Sequence, residues 1–301
     1  MPLAIDVRGL AKSFDGHRVL TGLDLTVERG EIFALLGVNG AGKTTAISIL
    51  TTLLRPDRGT VRVAGYDIES APVEVRRRIS LTGQSAAVDD MLTATENLML
   101  FARLAGLGRR SARSRCEQLL DRFGLRESAR HRVGTFSGGM RRRLDLALSF
   151  VVTPEVLFLD EPTTGLDARS RRALWQVIRD VAAAGTTVFL TTQYLEEADQ
   201  LADRIAVLDG GQVAALGTAS QLKERVGGET VRLHDCEGAL LQEVATDGTV
   251  AGLRLALDRL DESGAEGVVT LRKPTLDDVF LALTADPAAA DHRHALAEES
   301  A

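Results

Sequence analysis

The sequence contains little cysteine and no long apolar run. Its two cysteines, Cys116 and Cys236, lie far apart and form neither a C-x-x-C pair nor a His/Cys cluster, so a disulfide framework or a zinc site has no support. No apolar stretch approaches the ~20 residues that a transmembrane helix needs, and no signal peptide is recognisable ahead of Leu3. Any membrane channel with which this chain works is therefore expected in another polypeptide.

The charge is spread without a basic face. The formal net charge is −6, and arginines are interspersed with acids, which argues against nucleic acid as the main partner. Three arginines in a row at 76–78, and again at 141–143, are interpreted as solvated helix faces. Apolar residues make up 45% of the chain and charged residues 26%, close to the averages of globular proteins.

Residues 3 to about 216 alternate short apolar runs with longer helical patterns, which is typical of a sheet covered by helices. Candidate strands are 32–36, 156–160, 187–191 and 205–208. Nearly continuous apolar runs suit strands that are buried on both faces. Between 84 and 135 the pattern becomes helical, with three- and four-residue apolar spacing over 97–107 and 114–123. The sequence thus predicts an α/β domain with an inserted helical subdomain.

A smaller domain is predicted to follow. After a helical linker at 220–225, a Gly227-Gly228 pair precedes segments at 230–233, 253–257 and 268–271, whose alternating pattern indicates strands. A final helix at 275–283 is expected to be capped by Thr275, with Asp278 three residues on. The Ala-rich, polar stretch 285–301 lacks periodicity and is expected to be disordered.

A glycine-rich loop follows the first candidate strand and opens an apolar helix at 46–54. Its sequence is Gly37-Val38-Asn39-Gly40-Ala41-Gly42-Lys43-Thr44, followed by Thr45. This pattern between a strand and a helix is typical of a phosphate-binding loop, because glycines let backbone N–H groups converge on phosphate oxygens at the positive end of a helix. Lys43 is predicted to reach the β- and γ-phosphates, Thr44 to bind Mg²⁺, and Thr45 to bond the α-phosphate.

An acidic pair ends the candidate strand 156–160. Asp160 suits coordination of Mg²⁺ through water. Glu161, one residue further, is placed to polarise an attacking water. With the phosphate-binding loop upstream, the pair predicts hydrolysis of a nucleotide.

A serine and two glycines open an Arg-rich amphipathic helix. Ser137, Gly138 and Gly139 offer N–H groups and a helix dipole to a second anion. Taken alone, the motif would be interpreted instead as an ordinary helix cap with glycine flexibility.

In order and spacing, these motifs resemble those of the nucleotide-binding domains of ABC transporters. The segment Glu161-Pro162-Thr163-Thr164-Gly165-Leu166-Asp167 belongs to the same pattern. In that family two cassettes face head to tail, and each ATP lies between one subunit's loop and the other's signature. The resemblance therefore implies that Ser137, Gly138 and Gly139 act on the ATP of the partner, and that Asp167 lies at the dimer junction.

The resemblance also implies a domain plan. It covers about residues 3–222 and gives a P-loop NTPase cassette of the ABC type, with α/β architecture. The expected divisions are 1–222 for the cassette, about 85–150 for its helical subdomain, 223–284 for a small α+β domain and 285–301 for the tail.

Three further positions follow the family pattern or depart from it. Phe14 matches the aromatic residue that stacks on adenine, with a packed turn residue as the alternative. Gln84 matches the glutamine that touches Mg²⁺ or water, with a solvated loop residue as the alternative. Gln193 stands where the family usually has a histidine at the γ-phosphate. A glutamine takes up no proton near neutral pH, so Gln193 is expected to position phosphate or water while Glu161 is the only general base.

Segments 82–98, 191–199 and 274–280 resemble the ATP-binding subunits of daunorubicin/doxorubicin-type antibiotic-resistance exporters. The resemblance implies a homodimer, peripheral on the cytoplasmic face of the cell membrane, that hydrolyses ATP to drive efflux. A separate permease would bind the hydrophobic drug, and residues 84–96 are the expected contact with it. Two alternatives stay open: a soluble ABC ATPase that works on ribosomes or DNA, and an ATP-dependent dimerisation switch with little turnover.

Overall fold

The structure, a computed structural model, describes residues 3–83, 87–262 and 266–284. The chain divides into two compact units, the first ending at Leu216 and the second beginning at Gly217. Gln84 and the segment 285–301 lie outside the described residues, so what was expected of them stays a prediction. None of the helices in the described ranges combines the length and apolar character that a bilayer span requires.

The first unit contains both strands and helices, and a shorter mixed series follows. The strands are β1 (Leu3–Phe14), β2 (His17–Glu28), β3 (Ile32–Leu36), β4 (Arg58–Val63), β5 (Tyr66–Asp67), β6 (Ile79–Thr82), β7 (Val156–Asp160), β8 (Thr187–Thr192), β9 (Arg204–Asp209), β10 (Gln212–Gly217), β11 (Glu229–His234), β12 (Leu240–Thr246) and β13 (Val268–Arg272). The α-helices are α1 (Lys43–Leu50), α2 (Pro72–Arg76), α3 (Ala94–Leu104), α4 (Arg109–Arg122), α5 (Gly138–Ser149), α6 (Ala168–Ala183), α7 (Leu195–Leu201), α8 (Ala219–Glu224), α9 (Val250–Asp261) and α10 (Leu276–Thr284).

A six-stranded sheet forms the centre of the first unit, in the order β10-β9-β3-β8-β7-β6. The pairs β9–β3, β3–β8, β8–β7 and β7–β6 are parallel. β3 and β7 are buried along their whole length and confirm the predicted strands 32–36 and 156–160. β8 is one residue longer than its prediction at the carboxyl end, and β9 is one residue longer at each end. Because parallel strands end at the same edge, the segments after β3, β7 and β8 meet there.

Helix α1 lies between this sheet and a four-stranded antiparallel sheet of order β2-β1-β4-β5. Its buried Ile47, Ile49 and Leu50 join one hydrophobic cluster with residues of both sheets. The helix was expected at 46–54 but begins at Lys43 and ends at Leu50. Thr52 has a φ of 65°, which is outside the helical region and ends α1 early.

The helices α3, α4 and α5 lie between β6 and β7 in the sequence. The expected helices 97–107 and 114–123 correspond to α3 and α4, which both start earlier. Thr93 and Glu96 form a capping box, in which the Thr93 Oγ1 accepts from the Glu96 N–H at 3.2 Å and the Glu96 Oε2 accepts from the Thr93 N–H at 2.8 Å. Apolar spacing reveals the buried face of a helix but not its polar first turn, so the predicted starts were late.

In the second unit, β11 lies between β12 and β13 in an antiparallel sheet. Val231 and Leu233 of β11 form a small core with Ala256 and Leu260 of α9. The sequence interpretation missed β12, whose residues alternate between half-buried and exposed positions.

The strand predicted at 253–257 is wrong, because these residues lie within α9. Leu253, Leu255 and Leu257 alternate along the sequence and so imitate a strand. The side chains that reach the core are instead Leu253, Ala256 and Leu260, which have the three- and four-residue spacing of a helix face.

The predicted cap of the last helix is confirmed. The Thr275 Oγ1 accepts from the Asp278 N–H at 3.2 Å, and the Asp278 Oδ2 accepts from the Thr275 N–H at 2.9 Å. Leu276 and Val279 are buried, and α10 contacts α8.

Candidate active site

The loop of residues 37–45 runs from the end of β3 into α1. Gly42 has a φ of 105° and precedes the first residue of α1, a conformation that favours glycine. A Cβ at Gly42 would lie 2.9 Å from the Leu20 Cδ2, and one at Gly37 would lie 2.8 Å from the Leu208 carbonyl oxygen. Glycine is therefore required at both positions. Because glycine has no side chain, the backbone of the loop stays accessible at the start of α1.

The loop borders a cavity of about 470 Å³ at the carboxyl edge of the six-stranded sheet. The residues lining it are Val19, Asn39, Gly40, Gly42, Lys43, Thr44, Thr45, Glu161, Thr164 and Gln193. The sequence interpretation had assigned no role to Val19 or Thr164. An apolar strand residue such as Val19 carries no signal that separates it from the core, whereas Thr164 lies within the recognised segment 161–167.

Lys43 is buried at the cavity wall, with 4% of its side chain exposed. Its Nζ donates to the carbonyl oxygens of Gly37 at 2.8 Å and Val38 at 3.0 Å and lies 3.4 Å from the Glu161 Oε1. The loop thus holds an ammonium beside its own backbone N–H groups, which is the arrangement that binds phosphate.

Asp160 ends β7 with a buried carboxylate. Its Oδ2 accepts from the Thr44 Oγ1 at 3.1 Å, and its Oδ1 accepts from the Thr191 Oγ1 at 2.6 Å. Carboxylate and hydroxyl oxygens are the protein ligands that Mg²⁺ prefers, together with phosphate oxygens and water. The chemistry of Thr44 and Asp160, placed side by side, therefore fits a Mg²⁺ site next to the phosphate-binding loop.

Glu161 follows Asp160 with a φ of 46°, which is uncommon for a residue with a side chain. Its backbone N–H donates to the Thr191 carbonyl oxygen at 3.1 Å. Its carboxylate lies beside Lys43 and accepts from the Thr164 Oγ1 at 3.4 Å. Such strained residues cluster at functional sites, and here the backbone turns the carboxylate into the cavity.

Ser137, Gly138 and Gly139 lie outside this cavity, at the start of α5. The Ser137 Oγ accepts from the Met140 N–H at 3.3 Å, so the serine caps the helix. Ser137 and Gly138 are exposed, whereas a Cβ at Gly139 would lie 2.6 Å from the Ser170 Oγ. A single chain therefore does not bring this motif to its own phosphate-binding loop.

Asp167 caps α6 close to the same place. Its Oδ1 accepts from the Ser170 N–H at 2.8 Å and its Oδ2 accepts from the Ser170 Oγ at 2.9 Å. These hydrogen bonds lower the pKa of Asp167, and the bond from the Ser170 backbone N–H has the largest effect. The exposed carboxylate is consequently held in its charged form.

Phe14 stands at the tip of the β1–β2 hairpin. Asp15 and Gly16 have φ values of 49° and 82°, the pattern of a tight hairpin turn. The ring is 43% exposed, and the Lys12 Nζ lies 5.5 Å from its centroid. Phe14 is thus not packed into the core, and it does not line the cavity.

The run of arginines at 141–143 was expected to be a solvated helix face, which is wrong for Arg142. Only 11% of its side chain is exposed. Successive helix residues point about 100° apart, so three in a row span about 200° of the helix surface, and one of them can reach the side of α5 that packs inward.

Glu197 was also missed by the sequence interpretation, because acids in the first turn of a helix are ordinary. It lies in α7, four residues after Gln193, and is fully buried. Its Oε1 accepts from the Trp175 Nε1 at 3.1 Å. Burial raises the pKa of Glu197, while the hydrogen bond from Trp175 opposes that shift.

This pKa shift predicts a pH dependence of stability. A carboxyl whose pKa is raised by folding contributes stability at low pH that is lost as the pH rises through its folded pKa. Glu197→Gln keeps the shape of the side chain without its charge. The Tm of the variant is therefore expected to exceed that of the wild type at about pH 8 and to approach it near pH 5. Each kcal/mol of added stability raises the Tm by about 2–4 °C. Thermal unfolding across this pH range measures the effect.

The neighbouring exposed acid provides the control for this measurement. Glu196→Gln changes the same charge at an exposed position and is expected to leave the Tm difference independent of pH. A Glu197→Gln difference that does not grow with pH would contradict the prediction.

The fold and the cavity together define a P-loop nucleoside triphosphatase. Comparisons with known proteins give the family. The family model described as ABC transporter matches residues 20–164. The daunorubicin/doxorubicin resistance ATP-binding protein DrrA of Streptomyces peucetius is 50% identical, with 95% of this chain and 93% of that protein covered.

Two further comparisons agree. Nod factor export ATP-binding protein I of Burkholderia lata is 37% identical, with 94% of this chain and 98% of that protein covered. A solved structure of an ATP-binding subunit of an ABC transporter is 30% identical, with a TM-score of 0.65 over 74% of this chain and 92% of that chain. The chain therefore belongs to the ABC transporter family, as one of its ATPase cassettes.

Proposed function

We propose that this chain powers the efflux of a hydrophobic drug of the daunorubicin/doxorubicin kind. The observation that carries the proposal is the cavity in which Lys43, Glu161 and Gln193 meet at the phosphate-binding loop. Relatives that cover nearly the whole chain are named for daunorubicin and doxorubicin resistance, which supports this choice of transported compound.

Hydrolysis of ATP at this site depends on charge neutralisation and an in-line water more than on covalent chemistry. The N–H groups of the loop and the Lys43 ammonium neutralise the β- and γ-phosphates. Glu161 polarises the attacking water and accepts its proton. Gln193 holds the γ-phosphate or the water by hydrogen bonds and takes up no proton.

The remaining contacts of the nucleotide are assigned to four residues. Thr44 and Asp160 would hold Mg²⁺, which supplies neutralisation of phosphate charge when bound. Thr45 is assigned to the α-phosphate. The exposed ring of Phe14 is assigned to the adenine, on which it can stack. Gln84, which lies outside the described residues, is assigned to the metal or the water by family resemblance.

The position of the serine-glycine motif supports a homodimer. Ser137 and Gly138 are exposed and lie away from the cavity of their own chain, at the positive end of α5. In a head-to-tail dimer they, with Gly139, would complete the ATP site of the second copy. Asp167, exposed next to this motif, would lie at the junction.

A separate membrane permease is proposed as the second partner and as the component that binds the drug. The chain would then lie peripherally on the cytoplasmic face of the membrane, and it has no nucleic acid partner in this proposal. Residues 84–96 are proposed to contact the permease, and the Met91 side chain, 70% exposed, offers apolar surface there.

Membrane recovery of the full chain is expected to depend on that permease. The chain would be expressed with and without the proposed permease, and membrane fractions would be compared. Met91→Asp is expected to reduce recovery severalfold, because it places a charge in the proposed contact. Val250→Asp, which alters an apolar side chain of similar exposure (69%) in the second unit, is expected to have no effect. Equal membrane binding without the permease would count against the proposal.

A further inference from the structure

Arg142 connects the helix that follows the serine-glycine motif to the end of β7. It lies in α5, three residues after Gly139. Its Nε donates to the Pro162 carbonyl oxygen at 2.8 Å, and its Nη2 donates to the Asp160 carbonyl oxygen at 3.4 Å. One guanidinium therefore holds the backbone on both sides of Glu161.

The same guanidinium forms a largely buried ion pair with Asp145, one turn further along α5. The Arg142 Nη1 lies 3.3 Å from the Asp145 Oδ2 and donates to the Gly83 carbonyl oxygen at 2.8 Å. The Asp145 Oδ1 accepts from the Ala87 N–H at 2.9 Å. The pair therefore ties α5 to the segment after β6 as well as to the end of β7.

A gain in folding stability does not by itself explain the ion pair between Arg142 and Asp145. Burial lowers the pKa of Arg142 and raises the pKa of Asp145, which shows that both charges are held against a desolvation cost. Apolar residues of similar volume often stabilise a protein as well as a buried ion pair does. The planar guanidinium also fixes the orientation of the groups that it contacts, because its N–H donors lie in a rigid fork that holds several acceptor oxygens at once.

At the end of β7, the orientation of the backbone decides where the Glu161 carboxylate lies. Glu161 is held at a φ of 46°, and such a backbone persists only when its surroundings over-determine it. The Thr191 carbonyl oxygen fixes the Glu161 N–H, and Arg142 fixes the carbonyls of the residues before and after it.

We propose that Arg142 is a positioning residue, which sets the Glu161 carboxylate for hydrolysis and couples it to the helix of the serine-glycine motif. The proposal rests on the proposed role of Glu161 as general base. Any movement of α5 against the six-stranded sheet would, through Arg142, move the peptide groups on both sides of Glu161.

The test separates catalysis from ATP binding. Arg142→Gln in the full chain is expected to lower kcat by about 10–100-fold, since small misplacements of a catalytic group have effects of that order. The KM and the Kd for ATP are expected to stay within about threefold, because Arg142 touches neither Lys43 nor Thr44. Arg142→Lys keeps the charge but not the fork, and an intermediate kcat is expected.

Arg143 is the matched control. It is the next residue of α5, and its Nη1 donates to the carbonyl oxygens of Phe123 at 3.1 Å and Gly124 at 3.2 Å, away from the cavity. Arg143→Gln therefore removes comparable helix contacts and is expected to lower the Tm without lowering kcat. A kcat loss in Arg143→Gln equal to that in Arg142→Gln would overturn the proposal, because the effect would then come from α5 as a whole.

Two further outcomes decide the matter. A kcat for Arg142→Gln within about threefold of the wild type would overturn the positioning role while leaving the proposed function intact. If Arg142→Gln does not fold, Arg142→Lys is judged by the same criteria. Absence of turnover in the wild type would instead refute the proposed function, and this inference with it.

Discussion

Glu161→Gln is expected to lower ATP turnover by about 10²–10⁴-fold, the range by which a positioned general base accelerates a reaction. The glutamine keeps the shape and the contact with Thr164 but cannot accept a proton from water. No histidine lines the cavity among the described residues, and Gln193 cannot replace the lost base. ATP binding is expected to stay within about threefold, because the phosphate-binding loop is unchanged.

Single-turnover hydrolysis and nucleotide binding, measured side by side, test this expectation. Thr164→Ala, which removes only the 3.4 Å hydrogen bond to the Glu161 carboxylate, is the control and is expected to retain most of the turnover. A wild type no faster than Glu161→Gln would favour the alternative function, an ATP-dependent dimerisation switch. Strong turnover that Glu161→Gln abolishes would exclude that switch.

Lys43→Ala is expected to have the second largest effect, and it acts on binding. It removes the ammonium from the cavity wall, together with its hydrogen bonds to the carbonyl oxygens of Gly37 and Val38. Charge-assisted hydrogen bonds at buried sites contribute about 1.5–3 kcal/mol each, so a loss of ATP affinity of about 10–100-fold is expected, with loss of turnover at the original ATP concentration.

Equilibrium binding of an ATP analogue measures the affinity loss. Lys273→Ala, which removes a lysine from the surface of the second unit where it pairs with Glu229 at 2.8 Å, is expected to bind as the wild type does. An unchanged affinity in Lys43→Ala would contradict the assignment of the loop to phosphate.

The most local features were the easiest to predict from the sequence. The strands 32–36 and 156–160 were found because their apolar residues run almost without interruption, which is typical of parallel strands between two covering layers. The loop at 37–44 was found because its glycines and lysine follow one another in the chain. The segment 253–257 was misassigned because three alternating leucines satisfy a strand pattern while the buried face that decides the matter extends to Leu260.

The sequence by itself determined the chemistry of the site, namely the phosphate-binding loop, the acidic pair and the glutamine in the place of a histidine. The loop and the acidic pair were recognised because each is continuous in the chain at a strand end, whereas the histidine that Gln193 replaces was expected from the family resemblance. Only the tertiary structure decided which polar side chains are buried and what they touch. Arg142, within a run of three arginines, and Glu197, in an acidic first turn, resemble surface residues in sequence. Their burial depends on the packing of α5 and α7 against residues far away in the chain, and no local pattern records such contacts.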